Sequence, residues 1–227
     1  MRFYLFLHFL KVFYPGFNAF DCNFAFNWQL PFYPSYPPAQ RSELMIARIL
    51  RLVEYCSETW RIVLLAVAFL AFQVLILPSL QADIMAVSQG TGVLDLLPWY
   101  TPEEALQHLN IYGPEGRNIY LWAEWTADFL FPPTYGLLFA ALLFRLDGGS
   151  WSLLAIFSWW IDWMENIFIT LLLTLYPTFY AGIAQIATLL TCAKWLMILS
   201  TMMMLIVRLG ALAVRKFGRA DRTEVKV

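Results

Sequence analysis

Four long apolar runs, separated by polar segments, dominate the chain after its first quarter. They cover residues 62–80, 118–144, 151–175 and 183–207. Each run is close to or longer than the ~20 apolar residues that an α-helix needs to cross the hydrocarbon core of a bilayer. The pattern therefore predicts an all-α, polytopic membrane protein whose four transmembrane helices pack as a bundle.

Three prolines fall inside these runs and predict irregular helices. A proline lacks the N–H that a helix needs for its hydrogen bond to the residue four positions earlier. Pro78 lies near the end of the first run, where it should bend or end the helix. Pro132 and Pro133 should kink the second.

The segment between the first two runs, residues 81–117, is a polar loop long enough to contain structure of its own. Its TPEE sequence at 101–104 is typical of a helix start, with a threonine cap, a proline in the first turn and a glutamate at the third helical position. Gly113 should end that short helix, and Pro114 should begin the next.

Residues 1–44 differ from the rest because they are crowded with aromatic side chains and carry the proline-rich run PFYPSYPP. They lack the aliphatic core and small-residue cleavage site of a secretory signal peptide. Either they form an aromatic arm at the membrane interface, or they are not part of the functional protein, which then starts at Met45. In both cases residues 45–216 are the four-span membrane domain and residues 217–227 a basic cytoplasmic tail.

Composition supports a membrane solvent and excludes one class of partner. Hydrophobic residues make up 60% of the 227 residues and charged residues only 14%, whereas soluble domains are roughly half apolar. A nucleic-acid binder needs a concentrated basic face, and the only basic cluster is the short C-terminal tail. We therefore expect no nucleic-acid partner.

The distribution of lysine and arginine predicts the orientation. Residues 41–61 hold four arginines and residues 208–226 hold six basic side chains, whereas the 81–117 loop has Arg117 beside five acids. Cytoplasmic segments of membrane proteins are enriched in lysine and arginine. Both termini are therefore predicted to be cytoplasmic and the loop to lie outside.

Charged side chains recur at helical spacing inside the second and third runs. Glu124 and Asp128 are four residues apart, which places them on one helical face, and Tyr135 shares that face. Asp162, Glu165 and Asn166 share a single face of the third run in the same way. The set is completed by one cation in the fourth run, Lys194, at about the depth of Asp162.

Charges at this depth are expected to find partners inside the bundle. An ionised group at the bilayer centre costs at least roughly 2.5–3.5 kcal/mol on insertion scales. We expect Asp162 or Glu165 to pair with Lys194. Four carboxylates then face one ammonium, so at least one carboxyl should be protonated, hydrated, or bound to a cation or cationic ligand.

Structural explanations stand beside this one. The charged pairs could simply hold the helices together, and Glu124, near the end of its span, could reach the interface and be wet. Asn166 could serve as an interhelical hydrogen-bonding residue. Among the tryptophans, those deep enough in the third run to line a pocket are Trp159, Trp160 and Trp163.

Arg117 and Tyr120 lie at the mouth of the second run, after the turn GPEG. We expect Arg117 to form a salt bridge with Glu104 or Glu115, and the alternative is contact with a lipid phosphate. Both residues are candidates for the rim of a site.

Three classes of function remain open. The leading hypothesis is a non-enzymatic membrane protein whose acidic cluster binds a polar or amphipathic ligand, or carries protons or cations. A membrane-embedded enzyme acting on a lipid or isoprenoid would use two carboxylates as acid and base, with Lys194 stabilising negative charge. A structural subunit of a membrane complex would use the charges to pack against partner spans. No Asp-rich diphosphate motif, HExxH or GxSxG is present, which disfavours the enzyme.

No metal or cofactor is expected. The three cysteines show no CxxC spacing, and His8 and His108 are a hundred residues apart, which argues against a haem or di-iron site. The expected partners are membrane lipids, with a second copy of the chain or a membrane-complex partner as further possibilities.

A series of short motifs runs through the second half of the chain: YTPEE, GPEGRNIY, DFLFPPTYG, DWMEN and Lys194. The series resembles a set of small four-span microbial membrane proteins with a PEE / GxxGR / DxxFP / DxxEN pattern. The resemblance covers roughly residues 95–200 and excludes the aromatic N-terminus. It implies the four-helix architecture and assigns no role to any residue.

Overall fold

The computed structural model of the chain describes residues 38–147 and 149–224, and these are helical with no β-strand among them. Seven α-helices account for most of the described residues: α1 Pro38–Cys56, α2 Thr59–Ala71, α3 Leu77–Val87, α4 Pro102–Glu124, α5 Ala127–Asp147, α6 Leu153–Leu175 and α7 Ala181–Glu224. The predictions made for residues 1–37 lie outside this part of the chain. Residues from Met45 onward form one compact unit.

Four stretches of helix are long and apolar enough to cross a membrane. They are Thr59–Val87, Pro102–Leu146, Ser150–Leu175 and Ala181–Val214. Each contains one of the four predicted runs, so the all-α, four-span architecture is confirmed. The protein is accordingly a multi-pass membrane protein, and the orientation of its termini stays a prediction.

The first span does not end at Pro78. The helix α2 passes into a π-helical turn, Phe72–Ile76, and then into α3, which carries Pro78 in its first turn and ends at Val87. A π turn changes the hydrogen-bond spacing next to the missing proline N–H, so the helix continues past it. No residue from Thr59 to Ile76 is buried, which leaves this span at the periphery of the bundle.

The predicted helix start in the loop is confirmed. Thr101 Oγ1 accepts a hydrogen bond from the Glu104 backbone N–H at 3.2 Å, and the Glu104 carboxylate accepts one from the Thr101 N–H at 2.7 Å. The two bonds form a capping box at the start of α4. Gly113, at φ 63°, separates α4 into two helical segments, as its position before Pro114 predicts.

The second span is interrupted earlier than predicted. Its helical geometry breaks at Trp125 and Thr126, between α4 and α5, whereas Pro132 and Pro133 lie inside α5. A proline leaves the carbonyl four residues earlier without its helical partner. In α5 those carbonyls accept hydrogen bonds from side chains of a neighbouring helix, which lets the helix run through both prolines.

Two side chains of α6 make those contacts. The Trp163 indole N–H donates to the Phe129 carbonyl at 3.0 Å, and the Asn166 amide donates to the Asp128 carbonyl at 3.0 Å. Asp128 precedes Pro132 by four residues, and Phe129 precedes Pro133 by four. The sequences DFLFPP and DWMEN are therefore joined across the α5–α6 interface by hydrogen bonds from side chains to backbone carbonyls.

Two hydrophobic cores flank a buried polar layer. The first core joins the loop to α4 and to the adjoining ends of α6 and α7; it includes Leu94, Tyr100, Leu109, Tyr112, Tyr120, Ile169, Leu172, Ala184 and Ala187. The second core lies towards the other ends of the same helices and includes Tyr135, Leu138, Phe139, Ala140, Leu143, Ala155, Ile156 and Leu205. Between them are the buried polar residues Glu124, Asp162, Glu165, Asn166, Thr191 and Lys194, named the polar layer below.

Candidate functional site

Three helices supply the polar layer: α4 contributes Glu124, and α6 and α7 contribute the rest. On α6, Asp162, Glu165 and Asn166 lie between the core residues Ile156 and Ile169, and all three are buried. On α7, Thr191 and Lys194 are three residues apart, which turns both towards α6. The helical spacing seen in the sequence therefore brings the predicted acids and the single lysine together.

Lys194 pairs with both acids of α6. Its Nζ is in direct contact with Glu165 Oε2 and lies 3.6 Å from Asp162 Oδ1. All three side chains are less than 10% exposed. The predicted pairing with Lys194 is therefore seen in the geometry, and Glu165 is the nearer partner.

The remaining oxygens of these two acids are also hydrogen-bonded. The Tyr135 hydroxyl donates to Asp162 Oδ2 at 2.9 Å, and the Thr191 hydroxyl donates to Glu165 Oε1. A buried ion pair is tolerated when additional hydrogen bonds satisfy its partners. Tyr135, Asp162, Glu165, Thr191 and Lys194 thus form a closed network that links α5, α6 and α7.

Glu124 stands outside this network. Its side chain is buried, with 2% of the residue exposed, and among the described residues neither carboxyl oxygen has a hydrogen-bond partner. The structure contradicts the suggestion that Glu124 reaches a wet interface. A buried carboxyl with no protein partner is costly and unusual, so it needs an explanation other than packing.

A cavity of about 80 Å³, bordered by the Glu124 side chain, lies between the second and third spans. Its lining comprises Glu124, Trp125, Phe129, Trp163, Met164, Asn166, Ile167 and Thr170. The Thr170 hydroxyl is a second buried polar group without a hydrogen-bond partner. Of the three tryptophans considered as pocket walls, Trp163 lines this cavity.

Asp128 and Asn166 meet at the interface between α5 and α6. The Asn166 amide is committed to the backbone of α5, in line with an interhelical hydrogen-bonding role. The Asp128 carboxyl is only partly buried, and within the described part of the chain it forms no hydrogen bond or ion pair.

The expected salt bridge of Arg117 is not formed. Arg117 donates instead to the Leu109 carbonyl at 2.7 Å, and its guanidinium lies 4.0 Å from the centre of the Tyr176 ring. Leu109 is in the last turn before the Gly113 break, so its carbonyl is left without a regular helical partner. A cation at a helix C-terminus is favourable, and Arg117 therefore stabilises the kink in α4.

Tyr120 anchors the loop to the bundle. Its hydroxyl donates to Asp95 Oδ1 at 2.8 Å and accepts from the backbone N–H groups of Leu94 and Asp95 at 3.1 and 3.3 Å. The Trp195 indole donates to the Asp95 carbonyl at 3.3 Å. The turn at Asp95 therefore reaches the level of Lys194 on α7.

Asp95 is a member of the site that sequence reasoning missed. Its carbonyl accepts a hydrogen bond from Trp195, the residue after Lys194, and its carboxylate accepts one from Tyr120. It lies in the segment that the sequence predicts to be a polar loop, and no periodicity connects it with a helix face. The available signal was the apolar sequence around it, VLDLLPWY, which is unusual for a solvated loop.

Tyr100 closes the loop side of the polar layer. Its backbone N–H donates to Thr188 at 3.0 Å, and its hydroxyl approaches Thr191 without a hydrogen bond of normal geometry. Burial raises the pKa of Tyr100 well above its ordinary value. The phenol is therefore neutral and keeps a proton to donate.

Within the ranges described above, no group of three or more His, Cys, Asp and Glu side chains is arranged to hold a metal ion. Comparison with family models, curated proteins and solved structures finds no match. The resemblance to the PEE / GxxGR four-span proteins therefore stays a prediction, and the function is argued from the geometry of the site.

Proposed function

We propose that this membrane protein binds an amphipathic ligand whose polar head occupies the cavity beside Glu124. The observation that carries the proposal is Glu124: its carboxyl is buried with no hydrogen-bond partner among the described residues, and its side chain borders a cavity of about 80 Å³. Buried polar groups are otherwise hydrogen-bonded in most proteins. A ligand head in the cavity would supply the missing partner.

The mouth of the cavity favours a ligand that also has an apolar part. Trp125, Phe129, Met164 and Ile167 line the cavity and are themselves exposed on the surface of the bundle. In a membrane protein such a surface faces lipid. The head of the ligand would enter from the lipid side, and its apolar chain would remain against these side chains.

Two parts of the predicted site therefore have different proposed roles. Lys194, Glu165 and Asp162 satisfy one another, together with Tyr135 and Thr191, and we assign them to holding three helices together. Glu124 is left for the ligand. This division supports a binding protein over an enzyme, because the only lysine of the layer is already engaged by two carboxylates.

Proton carriage is the second candidate, and one observation favours it. The Asp95 carbonyl accepts a hydrogen bond from Trp195, the neighbour of Lys194, and Lys194 contacts Asp162 and Glu165, so an acid of the loop lies close to the acids of the polar layer. Protein reconstituted in liposomes with an entrapped pH dye would dissipate a proton gradient if this were the function. The same assay with Asp128→Asn should then show slower dissipation.

Mass spectrometry of the intact protein tests the binding proposal. Protein extracted with its native lipids should carry a small amphiphile in the wild type and in Asp83→Asn, which changes an exposed carboxylate. Glu124→Gln should lose the adduct because the amide cannot pair with the head in the same way. The proposal is overturned if the wild type carries no adduct, or if Glu124→Gln keeps it.

A further inference from the structure

We infer that the first span is an interface between two copies of this chain, with Gln73 as its central contact. The inference is independent of the cavity beside Glu124 and of the ligand proposed for it. It depends on three observations about Gln73: its depth in the membrane, its exposed side chain without a partner, and the stripe of side chains that leads to it along the helix.

Gln73 lies at the bilayer centre. It is the central residue of the 29-residue span Thr59–Val87. An α-helix rises ~1.5 Å per residue, so each end of the span is roughly 21 Å away. Half of the hydrocarbon core is only ~15 Å thick. The Gln73 amide is therefore too deep to reach the headgroups on either side.

The Gln73 side chain is exposed, and within residues 38–147 and 149–224 no group forms a hydrogen bond with it. No residue from Thr59 to Ile76 is buried, so this part of the span borders lipid. Lipid chains offer neither donors nor acceptors, and a polar group left unsatisfied in hydrocarbon is costly. The amide therefore needs a partner that the described residues do not supply.

A second copy of the chain supplies that partner. A glutamine amide has N–H donors and a carbonyl acceptor, so two glutamines can each donate to the other. Copies inserted in the same orientation are related by a two-fold axis along the bilayer normal, which brings identical residues together at equal depth. Interhelical hydrogen bonds and close packing are the interactions that associate transmembrane helices.

The helix surface beside Gln73 suits such packing. Leu70, Ala66 and Val63 precede Gln73 by three, seven and ten residues, which is the spacing of a seam between two packed helices. Val63 and Leu70 are 54% and 57% exposed, and Ala66 is half-buried. The small side chain of Ala66 lets two backbones approach closely. One stripe therefore combines apolar contact with the central amide.

Energy transfer between donor-labelled and acceptor-labelled protein in phosphatidylcholine liposomes tests the inference over a range of protein-to-lipid ratios. The wild type should dimerise. An interhelical hydrogen bond contributes on average a factor of about three to an equilibrium constant, so loss of two bonds in Gln73→Leu should weaken the dimer about fivefold or more. Leu199→Ala, at an exposed position of α7, should match the wild type. A monomeric wild type, or a Gln73→Leu dimer of undiminished affinity, would overturn the inference.

Disulfide cross-linking tests the surface separately. In protein whose three native cysteines are replaced by serine, Leu70→Cys should give an oxidised dimer and Leu199→Cys should not. Adding Gln73→Leu should reduce the yield from Leu70→Cys. Equal yields at positions 70 and 199 would mean that the copies meet at random, which contradicts the interface. Gln73→Leu should not lower the melting temperature in detergent, and this separates loss of the dimer from loss of the fold.

Discussion

The amide of Asn166 donates a hydrogen bond to the backbone carbonyl of Asp128, at 3.0 Å. That carbonyl lacks its helical partner because Pro132, four residues later, has no N–H. In lipid an unsatisfied carbonyl cannot turn to water, so the proline on one helix requires a donor on the next. The proline and the asparagine are best understood as one structural unit.

This relationship predicts coupling between Asn166 and Pro132. Asn166→Leu should lower the free energy of unfolding by about 0.6 kcal/mol, the average for interhelical hydrogen bonds in a membrane protein, and by at most about 1.7 kcal/mol. The cost should fall in the Pro132→Ala background, because the restored backbone N–H binds the Asp128 carbonyl. Reversible unfolding in mixed micelles measures all four proteins of this cycle. Equal costs in the two backgrounds would show that the bond does not compensate for the proline.

Lys194 should be far more important for stability than Glu124. Lys194→Met leaves Glu165 and Asp162 buried without their cation, a change expected to destabilise by about 3–5 kcal/mol. Glu124→Gln removes no protein contact and should leave the melting temperature unchanged or higher, as is common when a binding residue is neutralised.

The matched test of the lysine is the double variant Lys194→Met with Glu165→Leu. Lys194→Met leaves two buried acids, Glu165 and Asp162, without a cation, and the added Glu165→Leu change removes one of them. The double variant should therefore unfold at a higher temperature than Lys194→Met alone. Thermal unfolding in a single detergent compares the proteins. A double variant less stable than either single one would argue against the ion pair as the dominant interaction.

Tyr120 should control the order of the loop. Tyr120→Phe removes the acceptor for the Leu94 and Asp95 amides, and their hydrogen exchange should accelerate by at least tenfold. Exchange measured by mass spectrometry on peptides covering residues 93–97 reports this change. Tyr180→Phe, an exposed tyrosine, is the control and should leave those peptides unchanged.

Helical periodicity was sufficient to predict the bundle and most of the polar layer. The shared face of Asp162, Glu165 and Asn166 follows from the geometry of one helix, and the depth of Lys194 follows from its place in the fourth run, so their approach could be predicted once the spans were placed. Glu124 stands outside the network that they form. Which acid pairs with Lys194 depends on the rotation of α6 against α7, and no spacing within one helix contains that information.

Other features were beyond periodicity because they depend on contacts between elements. Asp95 enters the site through a loop whose position is determined by Tyr120 and Trp195. Arg117 binds a carbonyl that becomes available only because Gly113 breaks the helix. Charge complementarity alone predicts a salt bridge for Arg117. The contact that forms is instead a hydrogen bond to the Leu109 carbonyl, which lacks a helical partner.

Alanine substitutions at two glycines should have opposite effects, because one glycine lies at the close contact between α5 and α6 and the other lies in open space on α7. At Gly136 an added Cβ would lie 2.9 Å from Trp159 Cβ and 3.3 Å from the Ala155 carbonyl oxygen, so Gly136→Ala should force the helices apart and destabilise by about 1–3 kcal/mol. Gly210, in α7, has no neighbour within 4 Å of such a Cβ, and Gly210→Ala should stabilise by about 0.5–1 kcal/mol. Unfolding in mixed micelles measures both, and a neutral Gly136→Ala would mean that the two helices pack less closely than described.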